Sequence, residues 1–138
     1  KAAIEEGIVA GGGAALIYAR EAITRDNVGA QLVYKACGRP FEQILTNAGY
    51  DLSAAKILGM KVSESRIGDK FHGYNLKTET VENLRTAGII DPTKVTRTAI
   101  ESAASVAGTI LLTECVVVDD PDTKDEVDPM AGMMNGMM

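Results

Sequence analysis

The sequence predicts an all-α fold with small β elements, built around one long helix. Three observations carry that prediction. From Asp91 to Thr113 apolar residues recur at spacings of three and four. Val95, Ala99, Ala103, Val106 and Ile110 form one stripe, and Ile100, Ala104, Ala107 and Leu111 a second beside it. Hydrophobic residues make up 46% of the chain but aromatics only 4%, so the core must be built from small aliphatic side chains that let helices approach closely. The β content is confined to short runs: Phe71–Asn75, read as a strand or hairpin arm, and the β-branched Cys115–Val118, read as a C-terminal strand.

The long helix has a clear start. Asp91 is a strong N-cap candidate, because its carboxylate can accept the orphan N–H groups of the first turn, and Pro92 suits the first helical position. From Pro92 to Leu112 the helix would run about 30 Å at about 1.5 Å per residue. Only Arg97, Glu101 and Ser105 mark a polar face, so the helix is expected to be largely surrounded by protein.

Ahead of it, Ala2–Val9 reads as the end of a helix that Gly11-Gly12-Gly13 interrupts. Ala14–Ile23 has helical spacing, with Leu16, Ile17, Ala19 and Ile23 apolar. Asn27 can cap a helix from Val28 to Cys37 that turns Val28, Leu32, Val33 and Ala36 inward and stops at Gly38. Pro40 can start another, with Phe41, Ile44, Leu45 and Ala48 on one face and Asn47 and Gly49 at its end. Leu52–Leu58 reads as helical, Gly59–Lys70 as polar and irregular, and Thr80–Thr86 as a short helix ended by Gly88.

The chain has 138 residues, room for one ordinary domain. It starts with Lys rather than Met, and is expected to be a piece of something longer. The net charge of -5 lies entirely from Asp119 onward, where six acids meet one Lys. The body is therefore neutral, and nothing suggests a nucleic-acid surface. No stretch reaches the length of a membrane span, and Glu5 and Glu6 stand where a signal peptide would be basic. Two cysteines, Cys37 and Cys115, are too few for a disulfide framework; both read as buried thiols in a reducing compartment. His72 has no acidic or Cys partner at metal-ligand spacing and reads as a loop residue. Residues 119–138 show no periodicity and are acid-, Gly- and Met-rich; they are expected to be disordered, with 1–118 forming the domain. The tail methionines could be a sticky, adaptable surface or simply solvated.

Three stretches could carry chemistry. Gly11-Gly12-Gly13 allows close backbone approach to a phosphate or ribose, with a helix N-terminus behind it; it equally suits a helix break that permits tight packing. It does not match the P-loop pattern. Asn75 offers both a donor and an acceptor to a base edge, or is a turn Asn following Gly73-Tyr74. Asp91 can cap a helix and still accept from ribose hydroxyls, since an ionised carboxylate has about four acceptor positions.

The segments Glu5-Glu6-Gly7-Ile8-Val9-Ala10-Gly11-Gly12-Gly13-Ala14-Ala15-Leu16, Gly73-Tyr74-Asn75, Gly88-Ile89-Ile90-Asp91-Pro92-Thr93-Lys94-Val95-Thr96-Arg97, Ala103–Gly108 and Thr113-Glu114-Cys115 together resemble, in order, the C-terminal half of the equatorial domain of group I chaperonins, the GroEL family. The tail from Gly132 to Met138 is similar to a degenerate form of that family's Gly-Met repeat. The resemblance covers nearly the whole chain. It implies an equatorial-domain helical bundle and a nucleotide pocket to which Gly11, Gly12, Asn75, Leu76, Lys77, Ile89 and Asp91 contribute. The glycines would line the ATP pocket, Asn75 and its two successors would surround the adenine, Ile89 would pack on the base, and Asp91 would bond the ribose. Leu76 and Lys77 stand where the family has small residues, and the segment from Gly49 to His72 is longer than the family's.

The resemblance further implies a parent that is a chaperonin ATPase, an isomerase-type folding machine. It would use ATP/ADP with Mg²⁺, assemble with identical subunits into a heptameric double ring, take a lid co-chaperonin, and enclose unfolded polypeptides. No nucleic-acid or membrane partner is implied. The bacterial cytoplasm is the expected location, an organelle matrix the alternative. The phosphate loop, metal ligands, catalytic Asp and substrate-binding apical domain of such a parent would lie outside these residues. No catalytic or metal-binding residue is therefore assigned here, and this stretch by itself is expected not to turn over ATP. A reading from another class is a stand-alone helical interaction module without nucleotide.

Overall fold

The computed structural model describes residues 1–65 and 69–119. The chain divides into two units, Lys1–Ala103 and Ala104–Met138. The expected disordered tail lies outside the described residues except for Asp119, so its Gly-Met repeat does too.

In the first unit, α1 (Ala2–Glu6) leads to β1 (Ile8–Ala10), α2 (Ala14–Arg20), α3 (Val28–Asn47), α4 (Leu52–Glu64), β2 (His72–Asn75), β3 (Thr80–Asn83) and β4 (Ile90–Pro92). Helix α5 (Thr93–Leu111) begins in this unit and ends in the second. The fold is thus mainly helical with two small sheets, as the composition implies. Helices α2, α3 and α4 pack on one another, and Ile17, Phe41, Leu45, Ala55 and Val62 from them form the core with Leu84.

Several boundaries differ from the periodic reading. Ile8 and Val9 leave the first helix, because Gly7 turns the chain at φ 79° and β1 then pairs with β4. Helix α3 is continuous through Gly38 and Pro40, where two helices were expected. An interior Pro costs about 3 kcal/mol. Burying Phe41 and Leu45, one and two turns beyond Cys37, contributes about 1.5–3 kcal/mol each, which offsets it. Gly38 is no stop: a Cβ there would lie 2.7 Å from the Arg20 guanidinium, so its bareness serves packing. The inward face of α3 is also different, since Val28, Leu32 and Val33 are exposed.

Helix α4 runs on to Glu64, into a stretch read as irregular; Asp51 caps it through a 2.8 Å bond from the Ala54 amide, and Val62 anchors its end in the core. Thr80–Asn83 is a strand rather than a helix. It pairs antiparallel with β2, Asn75 opposite Thr80 and His72 opposite Asn83, around a tip in which Glu79 takes φ 55°. The Asp69 carboxylate ties the base of this hairpin, accepting from the Phe71 amide and from Asn83.

Helix α5 forms over nearly the expected span, but among the described residues it is not surrounded by protein and none of its own residues is buried. In the second unit Val106 is 60% and Leu111 82% exposed. The expected C-terminal strand is not formed. Cys115–Val118 has no ladder partner among the described residues and is exposed, Cys115 included, against the expectation of a buried thiol. A strand exists only where another backbone satisfies its N–H and C=O groups.

Candidate functional site

Sheet β1–β4 builds the first half of the candidate site. Its register sets Ile8 opposite Pro92, Val9 opposite Asp91 and Ala10 opposite Ile90. One residue further, the Gly11 amide donates to the Ile89 carbonyl at 3.0 Å. Gly11 and Ile89, far apart in sequence, therefore meet at the end of this sheet, with Gly12 next along the chain and Asp91 within β4 opposite Val9.

Each glycine of the triplet has its own reason. A Cβ on Gly11 would lie 3.1 Å from the Ile89 carbonyl carbon and oxygen and from the Ile90 nitrogen. One on Gly13 would lie 2.8 Å from the Phe41 nitrogen, and Gly13 sits at φ 80°. Tight packing thus accounts for those two. Gly12 is different: φ 62° calls for Gly, and a Cβ would meet nothing within 4 Å, so its surroundings are open. The helix behind the triplet, α2, has only seven residues, and its first amide, of Ala14, is bonded back to Gly11. The expected dipole at this point is correspondingly small.

Asp91 is not the cap of α5. It lies within β4, the helix starts two residues later, and the Thr93 amide donates instead to the Gly7 carbonyl at 3.1 Å. Pairing with Val9 holds Asp91 in extended backbone, which places it ahead of the cap position. Its half-buried carboxylate has no hydrogen bond among the described residues. Ile89 is half-buried and packs on the core, its amide donating to the Leu84 carbonyl at 2.8 Å.

Asn75, Leu76 and Lys77 belong to the other sheet, at the end of β2 and the start of the hairpin tip. Leu84 links the two halves: its amide donates to the Phe71 carbonyl at 2.8 Å and its carbonyl accepts from Ile89. Leu76 packs against the core, and Lys77 is exposed. Asn75 is buried. Its Oδ1 accepts from the Lys77 amide at 2.9 Å, an Asx turn, and its Nδ2 donates to Glu82 Oε1 at 2.5 Å. Beside it lies a shallow open cleft of about 540 Å³ lined by Asn75, Thr78, Glu82, Asn83, Thr86 and Ala87. Of the residues named from sequence, only Asn75 lines it. Glu82 was not foreseen, since reading Thr80–Thr86 as a helix removes the strand geometry that carries it back to Asn75.

Charged groups fasten the start of α5 to α1. Arg97 donates to both oxygens of Glu6, at 3.0 and 2.7 Å, and to both of Glu101 at 2.8 Å; Lys94 pairs with Glu5. The Arg97 hydrogen bond holds the Glu6 carboxyl below the usual range, and its two carboxylate partners raise Arg97. Near the hairpin, Tyr74 and Tyr50 meet edge to face with hydroxyls 3.1 Å apart, and that hydrogen bond pushes the Tyr74 phenol up to about 12. Burial pushes the Cys37 thiol up. Among the described residues no cluster of His, Cys, Asp or Glu could hold a metal, and no helix is long and apolar enough to cross a membrane.

The sequence profile of the TCP-1/cpn60 chaperonin family matches residues 1–121. The chain belongs to that family. Among solved structures it is similar to a group III chaperonin in the open state, with a TM-score of 0.72 and 21% identity over 84% of this chain and 25% of the other. It is also similar to the open-state monomer of a group II chaperonin from Methanococcoides burtonii, with a TM-score of 0.67 and 22% identity over 81% of this chain and 30% of that one. At these identities the likeness speaks for the fold. The chain spans 25% and 30% of the lengths of these two relatives.

Proposed function

We propose that this chain is the C-terminal half of the equatorial domain of a group I chaperonin, and that it supplies one wall of an ATP pocket and contacts between ring subunits. The observation that carries the reading is the β1–β4 pairing, which joins Gly11, next along the chain to open Gly12, to Ile89 and sets Asp91, whose carboxylate has no hydrogen bond among the described residues, opposite Val9. Those groups suit the sugar and base side of a nucleotide: an acceptor for ribose hydroxyls, an apolar side chain for the base, and room at a bare backbone. Asn75 adds a donor and an acceptor for the adenine, with Leu76 and Lys77 beside it. Bound ATP would supply the free energy that drives the folding cycle of the whole protein.

The metal ligands and the catalytic carboxylate are assigned, on the resemblance to group I chaperonins, to residues outside this chain. Mg²⁺ would accordingly be held elsewhere in the full-length protein. The exposed apolar residues of α5, and Cys115–Val118 with no ladder partner among the described residues, favour further protein contacts, which fits identical subunits in a heptameric double ring. A lid co-chaperonin and unfolded polypeptides complete the proposed partners, and the cytoplasm or an organelle matrix the location.

A nucleotide titration and a turnover assay with Mg²⁺ test this, on the chain and on the full-length protein. Full-length protein is expected to bind and hydrolyse ATP, and the chain alone not to hydrolyse it, because phosphoryl transfer depends on positioned metal and carboxylate groups. Robust hydrolysis that tracks the isolated chain would sink the half-site reading. Failure of full-length protein to bind ATP would favour a helical interaction module instead.

A further inference from the structure

Asn75 is the buried polar side chain of the described residues, with 7% of its surface exposed, and its amide is held in one orientation from both sides. A backbone N–H, that of Lys77, can only donate, so it calls for Oδ1. A carboxylate, that of Glu82, can only accept, so it calls for Nδ2. Turning the amide over would set oxygen against carboxylate and NH₂ against N–H. Glu82 is steadied in turn, because the same Oε1 accepts from the Thr78 hydroxyl at 3.0 Å.

The amide keeps one N–H and one carbonyl lone pair for a ligand, in a fixed order. On its Watson–Crick edge adenine presents an amino donor beside the N1 acceptor, which an Asn amide can meet with both groups at once. Guanine carries a carbonyl where adenine has the amino group. On that edge the donor and acceptor are exchanged, and an amide must turn over to match them. A free Asn can do so; this one would have to break both flanking hydrogen bonds.

We infer that Glu82 is a positioning residue that gives the candidate site its preference for adenine over guanine, by fixing the Asn75 amide. The inference rests on the nucleotide-site reading above. It assigns to Glu82 no contact with the nucleotide itself.

The test uses full-length protein, with ATP and GTP titrated separately into wild type, Glu82→Ala, Glu82→Gln and Asp91→Asn. A well-placed bidentate pair discriminates between bases by about 5- to 150-fold. Glu82→Ala is expected to cut the ATP-over-GTP preference by about tenfold. Glu82→Gln keeps a carbonyl that accepts from Asn75 and should retain most of it. A purely structural role for Glu82 would weaken both nucleotides together and leave their ratio unchanged. An unchanged ratio in Glu82→Ala, with ATP binding weakened in Asp91→Asn, overturns the inference and leaves the nucleotide site standing. If wild type binds neither nucleotide, the site itself is refuted and the inference falls with it. Should Glu82→Ala not fold, Glu82→Asp withdraws the carboxylate by one methylene while keeping its charge, and the same ratio decides.

Discussion

The Gly11 amide donates to the Ile89 carbonyl at 3.0 Å, which extends the β1–β4 pairing into the glycine triplet. Such an approach would press a side chain on Gly11 tightly against the β4 end, its Cβ 3.1 Å from the Ile89 and Ile90 backbone. Gly11→Ala and Gly13→Ala are each expected to destabilise the full-length protein, by about 1–3 kcal/mol for the overpacking alone. Gly13→Ala should cost more, because its neighbour is the α3 backbone at 2.8 Å and its φ is 80°. Gly12→Ala meets no neighbour and carries only the left-handed backbone penalty of about 1–2 kcal/mol. Denaturant titrations of the three variants give the order; a Gly13→Ala protein as stable as Gly12→Ala would contradict the packing account.

Asp91 separates structural from ligand roles more sharply than a helix cap would. Since it does not cap α5, Asp91→Asn and Asp91→Ala should both leave the thermal midpoint without nucleotide nearly unchanged. Affinity for ATP is expected to fall in both. A lost hydrogen bond to a charged acceptor costs about 1.5–3 kcal/mol, or roughly ten- to a hundred-fold. Melts without nucleotide, run beside ATP titrations, make the comparison. Unchanged affinity would remove Asp91 from the site.

Tyr74 predicts an alkaline weakness. Its phenol is pushed from 10.0 up to about 12 in the folded state by the hydrogen bond to Tyr50. The unfolded chain therefore loses that proton first. Stability from the pair is fully present below about pH 10 and is lost as the pH rises toward 12. Tyr74→Phe should be less stable near neutrality and show a flatter decline over that window. Thermal melts at stepped alkaline pH read this out; parallel curves for the two proteins would dismiss the Tyr50 contact as the cause.

Val116 and Val117 are exposed and have no ladder partner among the described residues. Their β-branched run favours extended backbone, and a partner strand in the assembled protein would satisfy it. Hydrogen exchange is expected to be fast at both amides in the isolated chain and protected in the full-length assembly. Equal exchange in the two would leave this segment a connection rather than a strand.

What the sequence determined by itself was local. The span of α5 is legible because its apolar spacing persists for five turns, and Asn27 caps α3 as expected, its side chain accepting from the Ala30 amide at 2.8 Å. The hairpin arm at His72–Asn75 and the triplet turn follow from residue types with strong backbone preferences. Gly11, Ile89 and Asp91 could be named as candidates, but not brought together, since 77 residues lie between Gly11 and Ile89 and only the β1–β4 register joins the two stretches. Tertiary structure decided the rest. It carried α3 through Pro40, because Phe41 and Leu45 just beyond the expected break are buried, and it made Thr80–Asn83 a strand by giving it β2 as a partner. It moved Asp91 from cap to strand and brought Glu82 to Asn75. Long-range backbone pairing and core burial outweigh local propensity at these points, and neither can be read from neighbours in sequence.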